Sequence, residues 1–342
     1  MHVVPPLAPH SEPGLLRHPW TGLCFESRVP RASVHKSAAS EVLLTDAVPL
    51  GGNRYTLASA WHRDGFLGHL GSNAADPLLL AETVRQAAIL LSHRFHDIPY
   101  GHPFVLGELA LDLDAPLPPA DPEPLALRLD AHCARTGAHP RRTNLEAELA
   151  IATERRRLGS ARVRWEVMEP RRYAVLRKRG AADNAGTEPV PEPAGAVPVP
   201  PARLGRRQDR DVLLAADSTR PDRWWLRLDL DHPVLFDHPS DHVPGMALTE
   251  AFRQAAALTA ADVHGIPAAE AAHRIRALDT AFASFGELNL PVSITARPAD
   301  DDRGEGGHAL LLRAEQSGRE LASARVVLAA PRADHRTTGA AC

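Results

Sequence analysis

At 342 residues with a formal net charge of −3, the chain is long enough for two domains and too near neutral to offer the basic field that nucleic acid or an anionic membrane recruits. Three scattered cysteines, Cys24, Cys133 and Cys342, form no CxxC pair, which argues against a disulfide framework or zinc site and for a reducing compartment. No apolar run approaches the roughly 20 residues of a bilayer span, and the first residues have no signal-peptide pattern, so a cytoplasmic protein is expected.

Residues 1–33, proline-rich and aperiodic, read as a flexible arm. A first unit, 34–179, opens with "EVLLTD…NRYTLASAWHRD", whose alternation around a turn predicts two half-buried strands. Then comes "LLLAETVRQAAILL", apolar on nearly every side from Leu78 to Leu91 except for a polar knot of Glu82, Thr83, Arg85 and Gln86. Too short and too interrupted to cross a bilayer, it predicts a helix wrapped by its own domain. Alternating segments follow: "FVLGELALDLD", "LALRLDAHCAR", "NLEAELAIATE" and "GSARVRWEVME". The basic run "RRYAVLRKRG" reads as a solvated face, with a dock for an acidic carrier protein as the second reading.

The stretch 180–208, dominated by proline, alanine and glycine, reads as a semi-rigid linker. A second unit, 209–331, repeats the plan, and 332–342 reads as a frayed tail. Glu82, Arg85, Gln86, Ala87, Ala88 and Leu90 recur at a constant offset as Glu250, Arg253, Gln254, Ala255, Ala256 and Leu258. Upstream, "DVLLAAD…DRWWLRLDLDH" answers the first strand pair; downstream, "FASFGELNLPVSI" is read as the answer to "FVLGELALDLD". Two long buried helices, each in a curled antiparallel sheet, predict an α+β double hotdog, an internal pseudo-dimer.

The stretch "FDHPSDHVPGMALTEAFRQA" resembles the hotdog dehydratase signature, in which a histidine precedes a Pro-Gly that opens the helix and an acid follows six residues after the proline. His238 or His242 precedes Pro244-Gly245, and Glu250 takes the acid's place. With "VHKSAASEVLLTD" and "DPLLLAETVRQA", the whole chain resembles the A-factor biosynthesis (AfsA-type) family of γ-butyrolactone synthases, over roughly 33–175 and 208–330. The resemblance implies an acyltransferase that joins a β-ketoacyl group, carried on acyl carrier protein, to dihydroxyacetone phosphate. The ester then closes to a butenolide phosphate on the way to signals that control antibiotic production. It also implies clefts shared between repeats, so that His238 faces Glu82. The first repeat keeps His69 but has Asp76-Pro77 in place of Pro-Gly, so one competent cleft is expected.

That chemistry needs a base, donors for an oxyanion and a cation for phosphate. Glu82 and Glu250 are placed as bases if burial raises their pKa. Backbone N–H groups near Gly245 and Met246 suit an oxyanion. Arg253, and then Arg85, are the expected phosphate anchors, and Gln86 and Gln254 are expected to hold the helix to a neighbouring strand. The bland alternative is a pair of i,i+3 ion pairs. Asp237, His238, Asp241 and His242 read as a capping turn, a catalytic group or a metal site, with the metal least favoured; neither metal nor redox cofactor is expected. A homodimer is compatible. Rival functions are a hotdog dehydratase, hydratase or thioesterase, and a non-catalytic lactone sensor; the latter lacks a helix-turn-helix or basic face.

Overall fold

The computed structural model describes residues 22–68, 74–120, 123–139, 142–185, 195–299 and 307–329; His69, Cys342 and the expected tail lie outside them. The first repeat runs β1 (Leu44–Gly51), β2 (Arg54–Trp61), helix α1 (Pro77–Phe95), then β3 (Phe104–Leu113), β4 (Leu125–His139), β5 (Arg142–Ala152) and β6 (Arg157–Met168). Helix α2 (Pro170–Ala185) and a two-residue β7 (Val197–Pro198) lead to the second. That repeat runs β8 (Leu214–Ala216), β9 (Arg223–Leu226), α3 (Gly245–His264), the short α4 (Ala268–Ala271), then β10 (Ile275–Phe282), β11 (Ser293–Pro298), β12 (Gly307–Gln316) and β13 (Arg319–Ala329).

All the described strands join one antiparallel sheet in the order β1-β2-β4-β5-β6-β3-β10-β13-β12-β11-β9-β8-β7. Leaving out β7, each half has the same internal order, and the halves meet where β3 pairs with β10, Leu109 opposite Thr280. The chain is a double hotdog. Strands such as β5 alternate buried and open positions, so one sheet face is apolar and wraps the helices. Leu78, Leu79, Leu80 and Leu91 of α1 are fully buried, each contributing about 2 kcal/mol of transfer free energy. Among the described residues no helix is long and apolar enough to cross a membrane.

Two expectations change. The "FGELNLP" stretch is a loop between β10 and β11, and the strand equivalent to β3 is β10. The shared "GEL" is therefore a coincidence of composition, since Gly286 sits where a Cβ would meet Leu321 at 2.7 Å. The expected linker is also shorter than 180–208. Its first residues belong to α2, and from Val199 it is built like the segment from Val29. Val29 and Val199 donate backbone hydrogen bonds to Leu44 and Leu214, each at 3.0 Å. Arg31–Val34 and Pro201–Leu204 are both 3-10 turns, ended by a left-handed residue, His35 in one and Gly205 in the other. The repeat thus begins before the residue-34 and residue-209 boundaries. A proline-rich composition hid it because its contacts are made by single side chains with no periodicity.

Candidate active site

Each helix is fastened to its repeat's opening segment by one glutamine. Gln86 accepts the Leu43 N–H at 2.9 Å and donates to the Glu41 carbonyl at 2.8 Å and to Glu82 at 2.9 Å. Gln254 does the same with Leu213, Asp211 and Glu250, at 2.9, 2.8 and 2.6 Å. A buried amide with every group paired holds its glutamate in one orientation.

The two knots differ in what lies above them. Glu82 accepts two hydrogen bonds from Arg85, through Nε and Nη2, both at 2.8 Å, and Lys36 Nζ stands 3.0 Å from its Oε1. A cavity of about 590 Å³ opens over this group, with Lys36, Glu82 and Arg85 among its lining. Burial alone would raise the Glu82 pKa, but the charges of Arg85 and Lys36 and the hydrogen bonds from Arg85 and Gln86 outweigh it and hold it well below the carboxylate range. The expected raised-pKa base is therefore corrected. Both Glu82 oxygens are occupied, and they hold the Arg85 and Lys36 cations at the cavity floor.

The opposite wall comes from the second repeat. Helix α3 starts at Gly245 after Pro244, which offers no side-chain cap. Its first backbone bonds are donated by Ala247 and Leu248, to Pro244. Among the described hydrogen bonds the Gly245 and Met246 N–H groups have no acceptor, and both residues line the cavity. His238 lines it too, as does Glu82 of the other repeat, and the His238 pKa is lowered by burial and then by Arg85 and Lys36. Its neighbour Asp237 accepts the Ser37 and Ala38 N–H groups at 2.7 and 2.8 Å, which ties the Lys36 segment to the His238 loop.

His242 is held differently. Its Nδ1 is 2.7 Å from Asp241 Oδ1, to which Tyr173 of α2 also donates at 2.8 Å. Arg177 of α2 grips Asp241 and Glu287, closing α2 over the cavity edge. The carboxylates that a metal would need are thus spent on amides, a phenol and a guanidinium. Among the described residues no group of three or more His, Cys, Asp or Glu side chains is placed to hold an ion.

The close approach of α3 to its wall explains Gly245. A Cβ there would lie 3.2 Å from Phe282 Cε1 and 3.6 Å from Leu106 Cδ2. Gly245→Ala is expected to push Phe282 inward, lowering kcat/KM by about tenfold while changing stability by less than about 1 kcal/mol. Steady-state kinetics beside a urea titration check this.

The second knot is closed. Arg253 Nη1 donates to Asp76 at 2.6 Å and its Nη2 to Glu250, while Arg206 donates to the other Glu250 oxygen at 2.6 Å. All four side chains are buried. The expected roles of Glu250 as base and Arg253 as phosphate anchor are corrected, because neither side chain faces the cavity. One position decides the asymmetry. Asp76 caps α1, accepting the Leu78 N–H at 2.8 Å, and its carboxylate reaches across to Arg253. The equivalent N-cap of α3 is Pro244, which has no such reach, so Arg85 is left at an open cleft.

Sequence reasoning missed Lys36, His35, Arg206, Arg177 and Arg319. The first three were legible as a repeat, since "VPRASVHKSAASEVLL" and "VPPARLGRRQDRDVLL" align residue for residue. Arg177 and Arg319 reach the cavity from α2 and the start of β13, and nothing local in the sequence marks them.

Residues 24–169 and 188–330 match the A-factor biosynthesis hotdog domain. The chain is 33% identical over 276 residues to a 2-oxo-3-(phosphooxy)propyl 3-oxoalkanoate synthase of Streptomyces coelicolor, covering 79% of this chain and 82% of that protein. A synthase of the same name from Streptomyces virginiae is 33% identical over 275 residues, 80% of this chain and 88% of that one. Among solved structures, the 12:0-ACP thioesterase from Umbellularia californica aligns at 12% identity with a TM-score of 0.46, over 82% of this chain and 98% of that chain.

Proposed function

We infer the reaction from two facts: the chain belongs to the A-factor biosynthesis hotdog family, and its open cavity sets cations, free backbone donors and an apolar wall around one space. The name of the relatives describes an ester of a 3-oxoalkanoate with a phosphorylated hydroxyketone. The chain is accordingly an acyltransferase. It moves a β-ketoacyl group from a thioester to the hydroxyl of dihydroxyacetone phosphate, and the ester closes by aldol condensation to a butenolide phosphate, a precursor of lactone signals.

The observation that carries this reading is the charge of the lining. Lys36, Arg85 and Arg319 face the cavity against one lining carboxylate, Glu82, while Arg177 at its edge is held by Asp241 and Glu287. Such a wall suits a phosphorylated acceptor, whose phosphate a planar guanidinium can hold through two hydrogen bonds. Arg319 has no carboxylate partner among the described ion pairs and donates only to the Phe285 carbonyl, at 3.1 Å, so with Arg85 it is the proposed phosphate anchor. The Gly245 and Met246 N–H groups receive the oxyanion as the hydroxyl adds to the thioester carbonyl. Phe104, Leu106, Val234 and Leu248 supply an apolar wall for the acyl chain.

With Glu82 saturated, the proton must be carried by a cavity imidazole. His238, with its side chain 47% exposed at the cavity edge, is proposed to donate a hydrogen bond to the departing sulfur. The proposed thioester carrier is acyl carrier protein. Arg171 and Lys178 are exposed beside Val175 and Leu176 on α2, a basic and apolar face suited to an acidic partner near the entrance. The working place proposed is the cytoplasm.

The test is mass spectrometry of purified protein with a β-ketoacyl carrier thioester and dihydroxyacetone phosphate. The phosphorylated ester or its butenolide is expected, and neither should form when one substrate is omitted. Hydrolysis or hydration of the thioester, indifferent to the phosphate, would overturn the transferase.

A further inference from the structure

His35 stands where the chain turns left-handed, at φ 53°, and its copy in the second repeat is Gly205 at φ 64°. Glycine takes that conformation without strain, whereas a residue with a Cβ costs about 1 kcal/mol or more there. The first repeat keeps an imidazole at this cost, and that imidazole lines the open cavity beside Lys36 and Arg85.

Its hydrogen bonds fix which nitrogen is free. His93 Nδ1 lies 2.8 Å from the Ile98 carbonyl oxygen, which can only accept, so His93 carries its proton on Nδ1. Its Nε2 is then a lone pair, and it lies 2.9 Å from His35 Nε2, which must donate. Nδ1 of His35 is left as an acceptor and has no partner among the described hydrogen bonds. Phe104 sets the ring edge-on at 4.8 Å between centroids. Burial, then His93, Arg85 and His238, pushes the His35 pKa down to about 3, in keeping with a resting ring that is neutral with its Nδ1 open.

We propose that His35 is a catalytic residue of the transfer reaction: its Nδ1, locked as acceptor by the Ile98–His93–His35 chain, takes the hydrogen bond and then the proton of the attacking hydroxyl. The inference rests on the acyl-transfer reading above. As the O–H bond breaks, the ester C–O bond forms and the C–S bond breaks; the proton held on His35 Nδ1 is then given up to the departing sulfur, which leaves as the thiol, and His35 returns neutral with no other reactant needed. The phosphate dianion of the acceptor, bound in the same cavity, offsets the positive charge that His35 carries in passing.

Three variants and one spectrum test it. His35→Gly suits the left-handed turn, as Gly205 does, and is expected to melt no lower than wild type yet lose about 100-fold in kcat. Added imidazole should restore part of that loss, which a purely structural role would not allow. His35→Asn, which tolerates the turn and offers an acceptor near the Nδ1 position, should retain more activity than His35→Gln. Nitrogen NMR of the wild-type protein should find His35 protonated at Nε2 only and His93 at Nδ1 only. Wild-type kcat in His35→Gly, or a proton on His35 Nδ1, overturns the proposal. If the wild-type chain forms no ester, the reaction reading fails, and the spectrum still decides the tautomer.

Discussion

Arg253→Ala is expected to destabilise the fold by about 3–5 kcal/mol, the range for removing one partner from a buried ion network. Arg253 joins Asp76 of the first repeat to Glu250 of the second, so its loss leaves the buried Asp76 without an ion-pair partner, leaves Glu250 to Arg206 alone, and cuts a tie between the repeats. Acid sensitivity should rise with it. Burial alone would raise the Asp76 pKa, but Arg253 and then Arg206 hold it well below the carboxylate range. A depressed folded pKa contributes stability that is full above the unfolded value, near 3.9, and is lost as pH falls through the folded one. Without Arg253 that loss begins at higher pH. Urea titrations across pH 3–7 would show a lower midpoint and an earlier acid decline. Soluble Arg253→Ala should keep the wild-type KM for the phosphorylated acceptor within about twofold, since so small a change is below 0.5 kcal/mol. A KM raised tenfold with unchanged stability would instead return Arg253 to the role of phosphate anchor.

Glu82→Gln is expected to lower kcat/KM by about 100-fold or more, a loss of roughly 3 kcal/mol from the transition state. The amide keeps the volume but presents neutral groups to Arg85 and Lys36, which then repel one another and lose their fixed positions. A lost base and a lost scaffold for cations predict different records. Because Glu82 titrates well below the carboxylate range, it contributes no limb to the pH–rate profile near neutrality. The variant should therefore show the wild-type profile at reduced height, with a raised KM for the phosphorylated acceptor. If an acidic limb present in wild type disappears in Glu82→Gln, Glu82 is the base after all.

The repeat was visible because burial imposes periodicity. Two helices apolar on every side, each with Glu, Arg and Gln at the same spacing, already implied two wrapped units. Strand alternation supplied most of the sheet. The error with "FGELNLP" came from matching letters where spacing did not agree. The "VPRASVHKS" and "VPPARLGRR" segments were overlooked because a 3-10 turn and one buried cation leave no periodic trace.

The sequence by itself determined the family, the double hotdog and the polar knots; a cleft shared by His238 and Glu82 was what the family resemblance implied, and both residues line one cavity. It could not say which knot is open. Both carry the same three residues at the same spacing, and local propensity treats them alike. Tertiary structure decided it through a contact between residues far apart in the chain: Asp76 reaches Arg253 and seals one site, while Pro244 cannot reach Arg85 and leaves the other exposed to substrate. The direction of the Glu82 pKa was likewise a balance of burial against Lys36 and Arg85, and such a balance is set by distances that only the folded chain fixes.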